Sequence, residues 1–303
     1  MTAISLSYII STKNRLQFLK ILFAHLLPLV KPGEEIVVVD GDSSDGAKEF
    51  LQELYQAGKI NQFISEPDKN QAHGWNKALL MAKGTIIKKL IDDDVPNIGA
   101  IRRCSDFMLK NLGVDICISD MLDSNLSDPL SIGRPSRLHH FKQWQNGETR
   151  AFTFSDVTML IRRSSLSYLG LYDTQFKMLD WEYSLRVSYL KAGIAYYTGF
   201  NALSVTTPGN VSSTASKELF QNEELIGKTK YEYAGDRADI SNWSKVKIAL
   251  GTAYHNLANA KTIAPAIAMP AEAELAKIYA SYYQILEEEN RPGGEFIYAG
   301  NDK

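Results

Sequence analysis

Lys88-Lys89-Leu90-Ile91-Asp92-Asp93-Asp94-Val95-Pro96 places three carboxylates in a row at the end of an apolar run that begins at Thr85. The run reads as a short buried strand. Side chains alternate along an extended chain, so Asp92 and Asp94 are expected on one face and Asp93 on the other. Like charges held that close repel, and each loses hydration on leaving bulk water. A hard divalent cation between the carboxylates relieves both penalties, because oxygen ligands suit Mg²⁺, Mn²⁺ or Ca²⁺. The plainer reading is an acidic turn that caps a helix beginning near Ile98. The neighbouring segments separate the two.

Upstream, Ile4 to Ser11 is a β-rich apolar run, and Leu16, Leu19, Phe23, Leu26 and Val30 then recur at helical spacing until Pro32-Gly33. Glu35 to Val39 is a second buried strand, which stops at Asp40. The turn Gly41 to Gly46 follows, with Asp45 as cap of a helix to about Gly58. Ile60 to Ile64 is a third strand, Glu66 to Asn70 a loop, Ala72 to Lys83 a helix, and Thr85 to Ile91 the fourth strand. Four strand–helix alternations with short connections imply parallel strands and a doubly wound sheet. Ligands bind such sheets outside the carboxyl ends of the strands. Four polar clusters share that edge: Ser11 to Arg15, Asp40 to Asp42, Glu66 to Lys69, and Asp92 to Asp94. Independent acidic turns would have no reason to collect there, so the cation reading of the aspartates is favoured.

Downstream, the spacing predicts a helix over 98–112, a strand over 114–119, an irregular stretch over 120–152 and a strand over 157–161. A short helix over 164–169, a helix opened by Asp180 and ending at Gly193, and a strand over 194–197 complete this part. The breaker-rich segment 205–215 reads as a hinge or lid. Beyond it, Trp243 to Ile263 and Pro270 to Asn290 read as an appended helical hairpin. The division expected is therefore 1–215 for the sheet domain and 216–303 for a helical region.

The 303 residues carry a net charge of −2, with 45% hydrophobic and 22% charged residues, which gives no reason to expect a nucleic-acid partner. Cys104 and Cys117 lack metal-ligand spacing and suit a reducing compartment. Met1 to Ile10 lacks a basic start, and the apolar run Ile21 to Val30 is too short to span a bilayer. The expected location is cytoplasmic, with docking at the inner face of the membrane left open.

With these residues in view, the chain resembles family 2 glycosyltransferases. Ile9 to Arg15 is similar to that family's opening strand and turn, and Val38-Val39-Asp40-Gly41-Asp42-Ser43-Ser44-Asp45-Gly46 to its Val-Asp-(Asn/Gly)-Gly-Ser-Thr-Asp-Gly signature. Ser65 to Lys69 with Asn76-Lys77-Ala78 resembles a segment of its bacterial members. Asp92-Asp93-Asp94 fills the DxD position, and Leu179 to Arg186 resembles the Glu-Asp-Tyr-x-Leu-x-Leu-Arg segment. The resemblance covers about residues 3–200 and implies an α/β GT-A fold, Rossmann-like and mostly parallel, here with a C-terminal helical extension. Four departures stand out: Asp42 in place of Gly, His73 in place of Asp, Leu179 in place of Glu, and no histidine between Asp180 and Gly209 as a third metal ligand. No Gln-x-x-Arg-Trp follows, which argues against a processive synthase.

The resemblance implies transfer of a sugar, with inversion, from a nucleotide-diphosphate donor (a UDP-sugar is the family's commonest) to a hydroxyl of a glycan or lipid-linked acceptor. It assigns Mn²⁺ or Mg²⁺ to Asp94 and Asp92, and the base to Asp180, whose plainer role is helix N-cap. Nucleotide-sugar contacts fall to Thr12, Asn14, Arg15, Asp40, Asp42, Asp68, Lys69, Asn76, Asp92 and Asp93, and acceptor contacts to Trp181 and Glu182. A homodimer through the C-terminal helices is left open. Two rivals remain: a nucleotidyltransferase, which wants a glycine-rich loop after the first strand that Ser11 to Arg15 does not supply, and a non-catalytic nucleotide-sugar binding module.

Overall fold

Valine and isoleucine alternate in environment along the first two strands, and that alternation builds the molecule. In the computed structural model, which describes residues 3–208, 217–233, 235 and 269–298, Ile9, Val37 and Val39 face one apolar cluster, whereas Tyr8, Ile10, Ile36 and Val38 face another. Helices cover both faces. The first cluster takes Ala72, Trp75 and Ala78 from α3 (Gln71–Met81), Phe141 from α5 (Leu138–Gln145), Leu169 from α6 (Leu166–Leu169), and Tyr183 and Val187 from α7 (Leu179–Tyr189). The second takes Leu19, Leu22 and Phe23 from α1 (Leu16–Leu26), Leu51 from α2 (Ala47–Gln56), and Ile101 and Met108 from α4 (Ile98–Lys110). Each strand is apolar on both sides, as a sheet buried between helices requires.

The strand order is β3-β2-β1-β4-β8-β6-β9-β10. β1 (Leu6–Thr12), β2 (Glu34–Asp40), β3 (Gln62–Ser65) and β4 (Ile86–Lys89) are parallel. β8 (Leu160–Arg162) lies antiparallel between β4 and β6 (Ile116–Asn125), and β9 (Ile194–Thr206) returns to parallel beside β6. β10 (Phe296–Ile297) closes the edge antiparallel to β9, and β5 (Val95–Pro96) also pairs with β9. The chain winds from β1 outward to β3, then crosses back to place β4 on the other flank of β1. That reversal between β1 and β4 is the switch point at which such sheets bind ligands.

Three expectations are corrected. The stretch 120–152 is not irregular: β6 runs on to Asn125, turns into β7 (Asp128–Gly133), and α5 follows. Polar residues inside β6 hide its period, and its register against β9 shifts around Asp120. The strand expected over 194–197 extends to Thr206 through Gly199, because β6, β5 and β10 all pair with it. β4 ends at Lys89, and the Asp94 amide donates to the Ile91 carbonyl at 3.2 Å, closing a turn. The three aspartates therefore do not alternate as on a strand.

The C-terminal helix α9 (Glu272–Glu289) buries Leu275, Tyr279, Tyr282 and Leu286 against Phe18, Val95, Leu122, Leu203 and Val205. The other expected helix, over 243–263, lies outside the described residues. Among the described residues no helix is long and apolar enough to cross a membrane.

Candidate active site

Thr12 ends β1 and Asp92 follows β4, so the switch point brings them together: Thr12 Oγ1 donates to Asp92 Oδ2 at 2.6 Å. Arg15 opens α1 and donates to Asp93 Oδ2 at 3.0 Å. Thr207, just past β9, donates to the same oxygen. Asp94 Oδ1 accepts from the Val205 amide at 2.8 Å, and the Tyr279 hydroxyl of α9 donates to the Asp93 carbonyl. Four elements thus pin one turn, whose three carboxylates are buried. Burial, reinforced by the Asp93 charge, pushes the Asp92 carboxyl up to about 7 against the pull of Arg15 and Thr12. The same two causes push Asp94 well above the ordinary carboxylate range.

Against three carboxylates the turn has one guanidinium, Arg15, at 3.0 Å from Asp93 and 3.9 Å from Asp92. Asp92 and Asp94 both line the cleft, and their hard oxygens fit a divalent cation. Among the described residues no three His, Cys, Asp or Glu side chains are arranged to hold an ion alone. An ion here would draw its remaining ligands from water or phosphate oxygens, as Mg²⁺ commonly does.

The cleft has a volume of about 860 Å³. Its wall includes Thr12, Arg15, Asp68, Met121, Asp180 and Trp181. Asp68 is held by Lys77 at 2.6 Å and His73 at 3.3 Å. A Cβ on Gly74 would stand 2.3 Å from Ser11 Oγ and 2.7 Å from Asp68 Oδ2, so only glycine lets α3 approach this closely.

Several expected contacts sit elsewhere. Asp40 is fully buried, and its carboxylate accepts from the Ser43 amide at 3.0 Å, from Ser65 Oγ at 2.7 Å and from Ser43 Oγ. That carboxylate is spent on the turn it opens and does not line the cleft. Asp40→Ala would orphan three donors and is expected to cost roughly 2–4 kcal/mol of stability, read as a lower urea midpoint. Asn14 accepts from the Ser44 amide at 2.8 Å, Asp42 pairs with exposed Lys48, and Asn76 clamps the Tyr172 backbone at 2.8 and 2.9 Å. Lys69 is exposed beside the cleft rather than in its wall. Glu182 is turned inward, paired with Arg186 at 3.0 Å and accepting from the Tyr231 hydroxyl. Only Trp181 of the two acceptor residues reaches the cleft.

Asp180 is not an N-cap: α7 begins at Leu179, with Met178 at the cap and no side-chain hydrogen bond from it. The carboxylate, in the cleft wall, accepts from the Trp181 amide at 2.9 Å. Burial, with the Asp156 charge adding to it and Lys89 opposing, raises Asp180 to about 6.

Asp156 escaped the sequence reading. It pairs with Lys89 in the cleft wall and accepts from the Tyr172 hydroxyl at 2.8 Å, while the Lys89 ammonium lies 4.3 Å from the Trp75 ring centroid. Lys88 points the other way and donates to the Val157 carbonyl; burial lowers its ammonium to about 7. The one available signal was Phe154-Ser155-Asp156 running into an apolar segment.

The family profile of Glycosyl transferase family 2 matches residues 7–170. The chain belongs to that family. As a family 2 glycosyltransferase it also shares its fold with solved structures. S. aureus TarS 1-349 in complex with UDP-GlcNAc superposes with a TM-score of 0.60 at 17% identity, over 98% of this chain and 97% of that one. Mannosyltransferase PcManGT from Pyrobaculum calidifontis, in complex with GDP-Man and Mn²⁺, gives 0.53 at 15% identity, over 93% and 84%. At these identities the likeness speaks for the fold, which is the GT-A arrangement. No curated protein matches the chain.

Proposed function

We propose that this family 2 glycosyltransferase moves a sugar, with inversion, from a UDP-sugar to a hydroxyl of a glycan or glycolipid. The observation that carries the reading is the sharing of one cleft by the acidic turn and Asp180, a carboxylate bonded locally to the Trp181 amide and held near 6. A general base works best with a pKa close to the working pH. Asp180 takes the acceptor hydroxyl proton as the oxygen attacks the anomeric carbon and the nucleoside diphosphate departs. Trp181 presents an aromatic wall to the acceptor sugar.

Thr12, Arg15 and Asp68, in the same cleft wall, would meet the nucleotide, and Arg15 supplies positive charge beside the acidic turn. Asp92 and Asp94 would hold Mn²⁺ or Mg²⁺, which supplies Lewis-acid stabilisation of a leaving diphosphate. The nucleotide sugars in the two related structures support the donor class, and Mn²⁺ in one of them supports the ion. The test is calorimetry with UDP, with and without Mn²⁺, followed by hydrolysis of a panel of UDP- and GDP-sugars. Metal-dependent release of UDP from one sugar is the expected result. Binding with no turnover of any donor would leave a binding module instead, and release of pyrophosphate from a nucleoside triphosphate would point to nucleotidyl transfer.

A further inference from the structure

α8 (Lys217–Tyr231) presents Glu223, Gly227 and Tyr231, spaced by four residues and therefore stacked on one helical face. All three meet the start of α7. The buried Glu223 carboxylate accepts from the Lys177 amide at 2.7 Å and from the Met178 amide at 2.8 Å, one oxygen each. Gly227 lies under the Trp181 indole, where a Cβ would stand 2.3 Å and 2.4 Å from ring carbons. The Tyr231 hydroxyl donates to Glu182. Contacts therefore run from residue 177 to residue 182 and bracket Asp180.

We propose that Glu223 is the positioning residue for Asp180, and that the Glu223-Gly227-Tyr231 stripe of α8 holds the first turn of α7 at the cleft wall. The inference rests on the reading of Asp180 as the base. A helix N-terminus leaves amides without intrahelical partners, and a short polar side chain at the cap normally takes them. Met178 cannot. Asp180 accepts from the Trp181 amide inside the first turn, which leaves the Lys177 and Met178 amides upstream of it to be met from elsewhere. Glu223 meets both from another helix and sets a negative charge at the positive end of α7. Asp180 stays in the cleft wall, bonded to the amides of its own turn. Gly227 completes the device, because any side chain there would drive Trp181 toward the acceptor space.

The test uses the full chain and hydrolysis of the UDP-sugar that the panel selects. Glu223→Gln keeps the size of the side chain, but its amide group can accept from only one of the two N–H donors. Expected is a drop in kcat of roughly 10–100-fold, the cost of a small misplacement, with UDP affinity by calorimetry within about twofold of wild type. The acidic limb of the pH profile should also move below its wild-type position, because a loosened Asp180 regains water; a merely structural role would leave the limb in place. Unchanged kcat and an unchanged limb would overturn the proposal. Should Glu223→Gln lose its cooperative unfolding transition, Tyr231→Phe decides: about a 3–10-fold loss of kcat at unchanged UDP affinity supports the stripe, and wild-type kcat overturns it. Asp180→Asn separates the two claims. If that variant still turns over, the base assignment itself has failed; if it is inactive while the α8 variants run at wild-type rate, only this inference has.

Discussion

Asp180→Asn is expected to lower turnover by roughly 10²–10⁴-fold while leaving UDP affinity within about twofold, the usual range for losing a general base. The carboxamide retains an oxygen for the Trp181 amide, so the local hydrogen bond survives and only proton acceptance is lost. In the wild type the rate should fall as pH drops through about 6, where Asp180 takes up a proton. The variant should show no such limb. Stability should move the opposite way. Because burial and the Asp156 charge raise the folded-state value above the ordinary carboxylate range, the fold favours neutral Asp180. The stability this supplies is present at low pH and is lost as pH rises through about 6. Asparagine is neutral throughout, so above pH 6 the variant should melt at or above the wild-type temperature. A variant that is inactive and no less stable would mark a group kept for chemistry. A variant that is active at pH 7 would remove Asp180 from the mechanism.

Sequence pattern reached far into this fold, and the places where it stopped have physical reasons. The parallel half from β1 to β4 was readable because each strand is apolar on both faces and each helix shows its own period. The rule that ligands meet carboxyl ends then put Thr12, Arg15, Asp68 and Asp92 to Asp94 at one edge, and all of them line the cleft. The same rule misses Asp156. β8 runs antiparallel to β4, so the residues before that strand, not after it, arrive at the edge. Asp40 illustrates the converse: it ends a strand at the right edge, but its own turn consumes its carboxylate. Glu223 was illegible because its duty is to cap a helix some 45 residues away in sequence, a relation that no local spacing encodes. Sequence could say which strand ends converge. It could not say which carboxylates there are already engaged.

Engagement also decides what to expect of the acidic turn. The double variant Asp92→Asn/Asp94→Asn keeps oxygens that can accept from Thr12 Oγ1 and the Val205 amide, so the turn's internal bonds can persist. What it removes is charge. If these carboxylates hold a divalent ion, the gain in UDP affinity produced by Mn²⁺ should shrink at least tenfold, about 1.4 kcal/mol. Turnover should fall by ~10² or more, since an ion that stabilises a departing diphosphate is worth several kcal/mol. The metal-free protein should respond in the opposite sense. Asp92 at about 7 and Asp94 well above its ordinary range mean that the fold without an ion penalises their ionised forms. That penalty is absent below the unfolded value and grows as pH rises toward 7 and beyond. Above pH 7 the double variant should therefore be more stable than the metal-free wild type, by roughly 1–3 kcal/mol, the scale of relieving buried charge. Mn²⁺ should raise the wild-type melting temperature more at pH 8 than at pH 5 and leave the variant's unmoved. A variant that still binds UDP more tightly with Mn²⁺ and turns over at the wild-type rate would place the ion elsewhere. Stability gained together with catalysis lost would mean that the turn carries its repulsion for the sake of what binds between its oxygens.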